Sequence, residues 1–185
     1  MLSKENKLKK GFFMEDCFEV IFTTTKDDEL DYLNINAQLI MRNLENEDEK
    51  SIGYANIYMF NEYRVDSWDD LIYNADAISG DVLEVIDVLS KAKENEEISG
   101  LISVIDHIEI DKKYRCQGYC SLFIDEILDY FNYIYVNYVG LIPARIYDDK
   151  VVQNEEKAIE YYINKGFKPI SRRVDGNVIM GKSLL

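Results

Sequence analysis

Residues 114–121, with the sequence YRCQGYCS, combine an arginine, a glycine and small side chains in a pattern that suits anion binding. They follow an apolar run and precede a helical pattern, so their backbone N–H groups would converge at the positive end of a helix dipole. Gly118 lacks the Cβ that would hold a ligand away from the backbone, and Arg115 offers a charge-assisted contact. An ordinary strand-to-helix turn with a glycine fits the same pattern, so this segment alone predicts only a candidate phosphate site.

A second segment, residues 158–167, lies at the next helical pattern and ends Tyr161-Tyr162-x-x-x-Gly166-Phe167. Taken with Arg115-x-x-Gly118-x-Cys120, it resembles the GNAT superfamily of N-acetyltransferases. In that family R/Q-x-x-G-x-G/A follows the fourth strand, and a later helix commonly ends F-Y-x-x-x-G-F. The resemblance is good over residues 101–185 and looser over residues 18–60.

The resemblance implies direct transfer of acetyl from acetyl-CoA to a primary amine of a small molecule or peptide, within a ternary complex. Amides of residues 117–121 would hold the CoA pyrophosphate, and main-chain groups of residues 108–110 would pair with the pantetheine arm and polarise the thioester carbonyl. The cofactor-binding residues implied are Ile108, Glu109, Ile110, Arg115, Cys116, Gln117, Gly118, Tyr119, Cys120 and Ser121.

Two catalytic residues are implied by the same resemblance. Tyr162 corresponds to the tyrosine that often protonates the departing CoA thiolate, although a ring that packs in the core also fits its place on the helix. Asp106 ranks first as general base, because the family often has an acidic residue there, and His107 and Glu109 are the alternatives. Strand alternation places Asp106 on the face of Ile108, unless a β-bulge intervenes.

The three cysteines, Cys17, Cys116 and Cys120, accompany a single histidine. An odd, small number of cysteines argues against a disulfide scaffold and favours reduced thiols, so we expect a cytoplasmic protein. Cys116 and Cys120 lack further ligands at zinc spacing, and no metal is expected. Cys120 replaces the small Gly or Ala of the family loop, and direct transfer does not require it as an acyl-carrying nucleophile.

The chain has 185 residues and a net charge of −14. Its length suits one domain over residues 1–185, with a flexible tail over residues 1–12. The negative charge argues against nucleic acid as a partner and would favour a cationic substrate, although solubility explains it more simply. No run approaches the roughly 20 apolar residues of a membrane helix, so no membrane association is expected. Both a monomer and a homodimer are compatible with the sequence.

The predicted fold is α/β, with a GNAT-like mixed, mostly antiparallel central sheet flanked by helices. Period-two patterns predict the early strands, and two amphipathic stretches over residues 66–98 predict a helical insertion between the third and fourth strands. Later patterns predict these elements: a strand over 101–110, a helix over 118–131, a strand over 133–142, a loop over 143–153, a helix over 154–165 with Ile163 inward, and a hairpin at Asp175-Gly176.

Two functions outside catalysis remain open at this point. In the first, the chain keeps the fold and CoA binding but does not catalyse a reaction. In the other, its acidic surface would contact a basic protein partner. An acidic fourth strand together with Tyr162 favours the enzyme over the CoA-binding module.

Overall fold

The computed structural model describes residues 16–27, 29–44, 48–147, 150–153, 156–172 and 177–184. Within them the chain forms nine β-strands and four α-helices. The strands are β1 (Asp16–Lys26), β2 (Tyr32–Asn43), β3 (Glu49–Asn61), β4 (Leu101–Ile110), β5 (Tyr138–Leu141), β6 (Ala144–Tyr147), β7 (Lys150–Gln153), β8 (Lys168–Arg172) and β9 (Val178–Ser183). The helices are α1 (Trp68–Asp76), α2 (Gly80–Glu96), α3 (Tyr119–Tyr133) and α4 (Glu156–Asn164).

Seven strands form one sheet in the order β1-β2-β3-β4-β5-β9-β8, and β6 pairs with β7 in a separate hairpin. Every neighbouring pair in the large sheet is antiparallel except β4 and β5, which are parallel. Helix α3 makes the crossover between these two strands, as a parallel pair requires. The prediction of a mixed, mostly antiparallel sheet is therefore confirmed.

The sheet is covered on both faces, so the chain has two apolar cores. One core joins α3 and α4 to side chains such as Ile35, Ile57 and Ile105. The other joins α1 and α2 to side chains that include Phe60 and Val104. Alternation along β3 and β4 sends successive side chains to opposite cores.

Helices α1 and α2 lie between β3 and β4, where the sequence predicts them. Ser67 and Asp70 form a capping box at the start of α1, with the Ser67 backbone N–H donating to the Asp70 carboxylate at 2.9 Å. The Ser79 hydroxyl accepts from the Val82 backbone N–H at 3.2 Å and caps α2. That these helices are an insertion relative to the family stays a prediction.

Three local predictions differ from the structure. The strand predicted over 133–142 is confined to β5, because α3 continues through Tyr133 and Tyr135 adopts a left-handed φ of 59°. The predicted loop over 143–153 contains the β6–β7 hairpin. Ile163 is 49% exposed rather than inward, since α4 turns only Ala158 and Tyr162 fully to the core. The predicted tail and the Asp175-Gly176 turn lie outside the described residues.

The pairing of β4 with β5 covers only half of β4, and this shapes the site. Residues Ile102 to Ile105 of β4 pair with β5, and the pairing stops at Leu141. Pro143 follows closely, and it has no N–H with which to continue a ladder. The second half of β4 pairs with β3 alone, so its other edge faces open space.

Candidate active site

A cavity of about 420 Å³ lies beside the open edge of β4. Three elements enclose it: the second half of β4, the loop that begins α3, and the inward side of α4. Its lining residues are Ile108, Glu109, Ile110, Arg115, Cys116, Gly118, Cys120, Ser121, Ala144, Lys157, Ala158, Tyr161 and Tyr162. Among the predicted site residues, Asp106, Gln117 and Tyr119 do not line it.

The open edge of β4 presents backbone groups to the cavity. The Asp111 N–H donates to the Ile52 carbonyl at 2.8 Å, so alternation along the antiparallel pair directs the backbone groups of Ile108 and Ile110 away from β3. The backbone of Glu109 points to β3 instead. Of the three predicted main-chain contacts, the geometry therefore favours Ile108 and Ile110 for an extended ligand arm.

The start of α3 has the form of an anion site. Gly118 caps the helix with φ of 93° and ψ of −8°, a conformation that favours glycine, and a Cβ there would meet no atom within 4 Å. The Ser121 N–H already donates to the Gly118 carbonyl at 3.0 Å. The first N–H groups of a helix have no partner within it, so Gly118 and Cys120 offer the better donors to a bound phosphate.

Replacing Gly118 by alanine is expected to lower the affinity for CoA at least tenfold. The methyl group would occupy the open space in front of the loop, where a ligand phosphate must come close to the backbone. The positive φ adds a destabilisation of about 1 kcal/mol. Isothermal titration with CoA measures the affinity, and thermal unfolding measures the stability.

Gly166→Ala is the matched control for this experiment. Gly166 has a similar φ of 85° and does not line the cavity. Both variants carry the cost of a positive φ, and the new Cβ at Gly166 also lies 3.3 Å from Lys182 Nζ, so Gly166→Ala should lose at least as much stability. CoA affinity should fall for Gly118→Ala alone. An equal loss of affinity in both would show that backbone strain, rather than access to the loop, causes the effect.

The Arg115 side chain hydrogen-bonds to protein groups where the loop begins. Its Nε donates to the Ile110 carbonyl at 2.8 Å, and its Nη2 donates to Glu109 Oε1 at 2.6 Å. The sequence suggests a phosphate contact for this guanidinium. The geometry instead joins it to the end of β4.

Helix α4 brings two tyrosines to the cavity wall, and Tyr162 is 5% exposed. Its ring makes T-shaped contacts with Tyr161 at 5.1 Å and Phe167 at 5.6 Å between centroids. Burial raises the pKa of Tyr162 well above its ordinary value, as does the neighbouring Cys120 thiol, so the phenol keeps its proton at neutral pH. The structure therefore shows Tyr162 as a core-packing ring that also lines the cavity, and its role as proton donor stays a prediction.

Lys165 fixes α4 against α3. Its Nζ contacts both carboxylate oxygens of Asp125 at 2.6 Å and the Ser121 carbonyl at 3.2 Å. Gly166 ends the helix, and the Phe167 N–H donates to the Tyr162 carbonyl at 3.0 Å, as in a Schellman motif. These contacts hold the two tyrosines opposite the loop that begins α3.

Asp106 is the extra residue of a β-bulge. The register of β3 against β4 passes from Asn56 opposite His107 to Ile57 opposite Ile105, which leaves Asp106 without a partner residue. The bulge breaks the alternation that would have placed Asp106 with Ile108. Its carboxylate instead accepts from the Ser79 hydroxyl at 3.4 Å, beside the start of α2.

The surroundings of Asp106 make it a stronger base than an ordinary aspartate. Burial raises its pKa first, and the negative charge of Asp81 raises it further. The neighbouring His107 and hydrogen bonds from Ser79 and Asn56 act in the opposite direction and are smaller. A half-buried carboxylate with a raised pKa is suited to accept a proton.

His107 and Glu109, the alternative bases, are already joined to each other. His107 Nε2 lies 3.3 Å from Glu109 Oε2, and the Tyr54 hydroxyl donates to the same oxygen at 3.4 Å. Tyr54 stacks on the His107 ring with centroids 5.1 Å apart. Glu109 also holds Arg115, and Asp106 does not line the cavity, so the identity of the base stays a prediction.

Residue types alone gave no reason to assign Tyr161 and Lys157 to the site, and the structure places both there. They line the cavity from one side of α4, four residues apart, which is one turn of a helix. The Tyr161 hydroxyl donates to Cys120 Sγ at 3.9 Å. The helical spacing of Lys157, Tyr161 and Tyr162 is the sequence signal that would have grouped them.

All three cysteines lie in the described part of the chain. Cys17, Cys116 and Cys120 are free, and no cluster of three potential metal ligands occurs among the described residues. Desolvation raises the pKa of the Cys120 thiol, which makes it a poor nucleophile near neutral pH.

None of the described helices is long and apolar enough to cross a membrane.

The resemblance also implies substrate-gripping residues in the loop over 143–153, such as Asp148 and Asp149, and near the start of α1, such as Tyr63 and Trp68, although a solvated face explains them as well. The structure describes only some of these residues. Trp68 is buried and its Nε1 donates to Glu62 at 2.7 Å, so it supports α1 rather than a binding surface. Tyr63 is 78% exposed near the start of α1. Asp148 and Asp149 lie outside the described residues.

No family model and no curated protein matches this sequence. Solved structures do resemble it. A mosquito arylalkylamine N-acetyltransferase-like 5b shares 10% identity, with a TM-score of 0.48 over 80% of this chain and 74% of its own. Arabidopsis thaliana NAA60 in complex with acetyl-CoA shares 16%, with a TM-score of 0.46 over 80% and 76%. The ribosomal-protein-S18-alanine N-acetyltransferase of Escherichia coli shares 15%, with a TM-score of 0.43 over 83% and 70%.

Proposed function

We propose that this chain transfers an acetyl group from acetyl-CoA directly to a primary amine. The observation that carries the proposal is that three features line one cavity. These are an open strand edge, a helix start suited to anion binding, and a buried tyrosine that keeps its proton. Each part suits a different portion of acetyl-CoA or of its reaction. The net charge of −14 favours a cationic acceptor over an anionic one.

Acetyl-CoA would bind along the cavity with its pyrophosphate at the start of α3. The amides near Gly118 supply hydrogen-bond donors, and Lys157 supplies a cation on the opposite wall. The pantetheine arm would then lie along β4, much as an added strand pairs with a sheet edge. It would pair with the outward backbone groups of Ile108 and with the outward N–H of Ile110, whose carbonyl accepts from Arg115.

The amine nitrogen would attack the thioester carbonyl carbon. A C–N bond forms, the C–S bond breaks, and the products are an amide and CoA. Asp106 accepts the proton that the amine must lose, and Tyr162 donates its phenol proton to the departing thiolate sulfur. An N–H on the open edge of β4 would stabilise the negative charge that develops on the carbonyl oxygen.

The acceptor would approach from the side of the sheet opposite the cosubstrate. Asp106 lies toward Ser79 and α2, whereas Ile108 and Tyr162 belong to the core of α3 and α4. β4 no longer pairs with β5 beyond Ile105, and the acceptor amine would reach the thioester at this point. A small-molecule amine and a peptide amine both fit this description.

A direct test combines binding with turnover. Acetyl-CoA should raise the thermal unfolding midpoint, because a ligand that binds only the folded state stabilises it. Release of the CoA thiol over a panel of amines and N-terminal peptides should then show at least one acceptor. Unchanged unfolding with acetyl-CoA would contradict the proposal and favour a protein-interaction module.

Binding of CoA without turnover on any amine would instead favour a CoA-binding module that lacks catalysis. The absence of nucleic-acid partners, the cytoplasmic location and a monomeric or homodimeric state all stay predictions from the sequence.

A further inference from the structure

We infer that Arg115 and Glu109 form a clamp that holds the phosphate loop in place, with Arg115 acting as a positioning residue rather than as a phosphate ligand. The clamp is defined by the contacts of the Arg115 guanidinium with Glu109 and with the Ile110 carbonyl. This inference rests on the proposed function insofar as the loop binds CoA.

The clamp joins the two walls of the cavity. Glu109 and Ile110 end β4, and Arg115 begins the loop that leads into α3. Both charged side chains are about three-quarters buried, with exposed fractions of 21% for Arg115 and 27% for Glu109. A two-point contact of one guanidinium with a carboxylate and a carbonyl fixes orientation as well as distance.

The loop needs such an anchor because its backbone is strained. Cys116 adopts a φ of 61°, and Gly118 a φ of 93°. A non-glycine residue such as Cys116 is disfavoured in the left-handed region and persists only where the surroundings hold it, whereas Gly118 adopts its φ without strain. The clamp sits directly before Cys116, so it opposes relaxation of the loop to an ordinary turn.

Glu109 is itself held in position by Tyr54 and His107, its neighbours on the same face of the sheet. Its second carboxylate oxygen lies 3.3 Å from His107 Nε2 and 3.4 Å from the Tyr54 hydroxyl. Because its rotamer is already fixed, Glu109 loses little further freedom when it binds Arg115. The carboxylate therefore serves as a rigid anchor rather than a mobile partner.

The clamp and a direct phosphate contact predict opposite signs for one substitution. If Arg115 binds phosphate, Glu109 is an unfavourable negative charge in an anion site, and Glu109→Gln should tighten CoA binding. If Arg115 acts through Glu109, the same change frees the loop and should weaken CoA binding. The sign of the change in dissociation constant separates the two.

The experiment compares Glu109→Gln, Arg115→Gln, Arg115→Lys and the Glu109→Gln/Arg115→Gln double variant by isothermal titration with CoA. We expect each single variant to bind about tenfold more weakly, and the double variant to bind no more weakly than the weaker single. Arg115→Lys should resemble Arg115→Gln, because an ammonium does not reproduce the two-point contact. The KM for acetyl-CoA should rise while kcat falls less.

Asp87→Asn is the control for charge, since Asp87 pairs with Lys91 on α2 and does not line the cavity. Removing this negative charge should leave CoA affinity within twofold of the wild type. Unchanged or tighter CoA binding by Glu109→Gln, or additive losses in the double variant, would overturn the clamp.

Amide hydrogen exchange in the free protein separates failure of the clamp from failure of the proposed function. The amides of residues 116–118 should exchange faster in both single variants than in the wild type, with no ligand present. If the wild type does not bind CoA, the proposed function fails and this exchange experiment still tests the clamp. Unaltered exchange at these amides would overturn it.

Discussion

Tyr162→Phe is expected to lower kcat for acetyl transfer about 10²-fold or more while leaving the fold and CoA affinity intact. The change removes one hydroxyl and retains the ring that packs against Tyr161 and Phe167. Without the phenol, the thiolate must leave CoA unprotonated or take its proton from water. Thiol release under saturating acetyl-CoA measures kcat, on the amine that gives the fastest turnover.

The raised pKa of Tyr162 keeps the phenol in the protonated state that donation requires, while it also makes the phenol a weaker acid. Burial raises its pKa first, and the nearby Cys120 thiol raises it further. The phenol is therefore fully protonated at every pH at which the folded enzyme would be assayed, and no loss of activity with rising pH should come from this group.

Tyr161→Phe is the matched control, because Tyr161 neighbours Tyr162 on α4 and also lines the cavity. Its hydroxyl is directed to Cys120 Sγ at 3.9 Å, near the loop that would bind pyrophosphate. We expect Tyr161→Phe to retain kcat within a few-fold. A large loss of kcat in Tyr161→Phe, with none in Tyr162→Phe, would transfer the acid role to Tyr161.

The parts of this site that depend on local sequence could be predicted. Gly118 marks a left-handed helix start, and Ser67 and Ser79 mark the starts of α1 and α2, because each acts on backbone groups within a few residues. The amphipathic pattern of α3 places its apolar side chains in the core as expected. Local rules determine these features, and the features in turn place the motif residues at the cavity.

The parts that depend on distant partners could not be predicted. The bulge at Asp106 arises from the register of β4 against β3, and no pattern within β4 specifies it. The contact of Arg115 with Glu109 requires the loop to fold back on the strand end. Tyr133 and Tyr135 have high β-propensity, yet the helix continues through Tyr133 because tertiary packing of α3 outweighs propensity.

Asp106→Asn is expected to lower kcat/KM for the amine about 10²-fold or more while leaving the protein no less stable at neutral pH. Asparagine has nearly the same shape, and its Oδ1 is able to accept from the Ser79 hydroxyl as Asp106 does at 3.4 Å. It has no basic oxygen with which to take a proton from the amine. Thiol release measures the activity, and thermal unfolding measures the stability.

The expected stability follows from the direction of the pKa shift. Burial and Asp81 raise the pKa of Asp106 in the folded state above the unfolded value, so the folded state binds the proton more tightly. The resulting stabilisation is present at pH below the unfolded pKa and is lost as pH rises through the folded pKa. At neutral pH the charged, half-buried carboxylate therefore opposes folding slightly, and asparagine removes that charge.

The fall in activity at low pH tests the assignment of Asp106 as the base through a second residue, Asp81. Activity should fall as the pH drops through the raised pKa of Asp106, because protonation removes the base. Asp81→Asn removes the second-largest cause of that raised pKa and should move this fall to lower pH while activity at neutral pH is retained. If Asp106→Asn instead lost stability together with activity, or if Asp81→Asn left this fall at the same pH, Asp106 would be a structural residue of the bulge and His107 would become the leading candidate for the base.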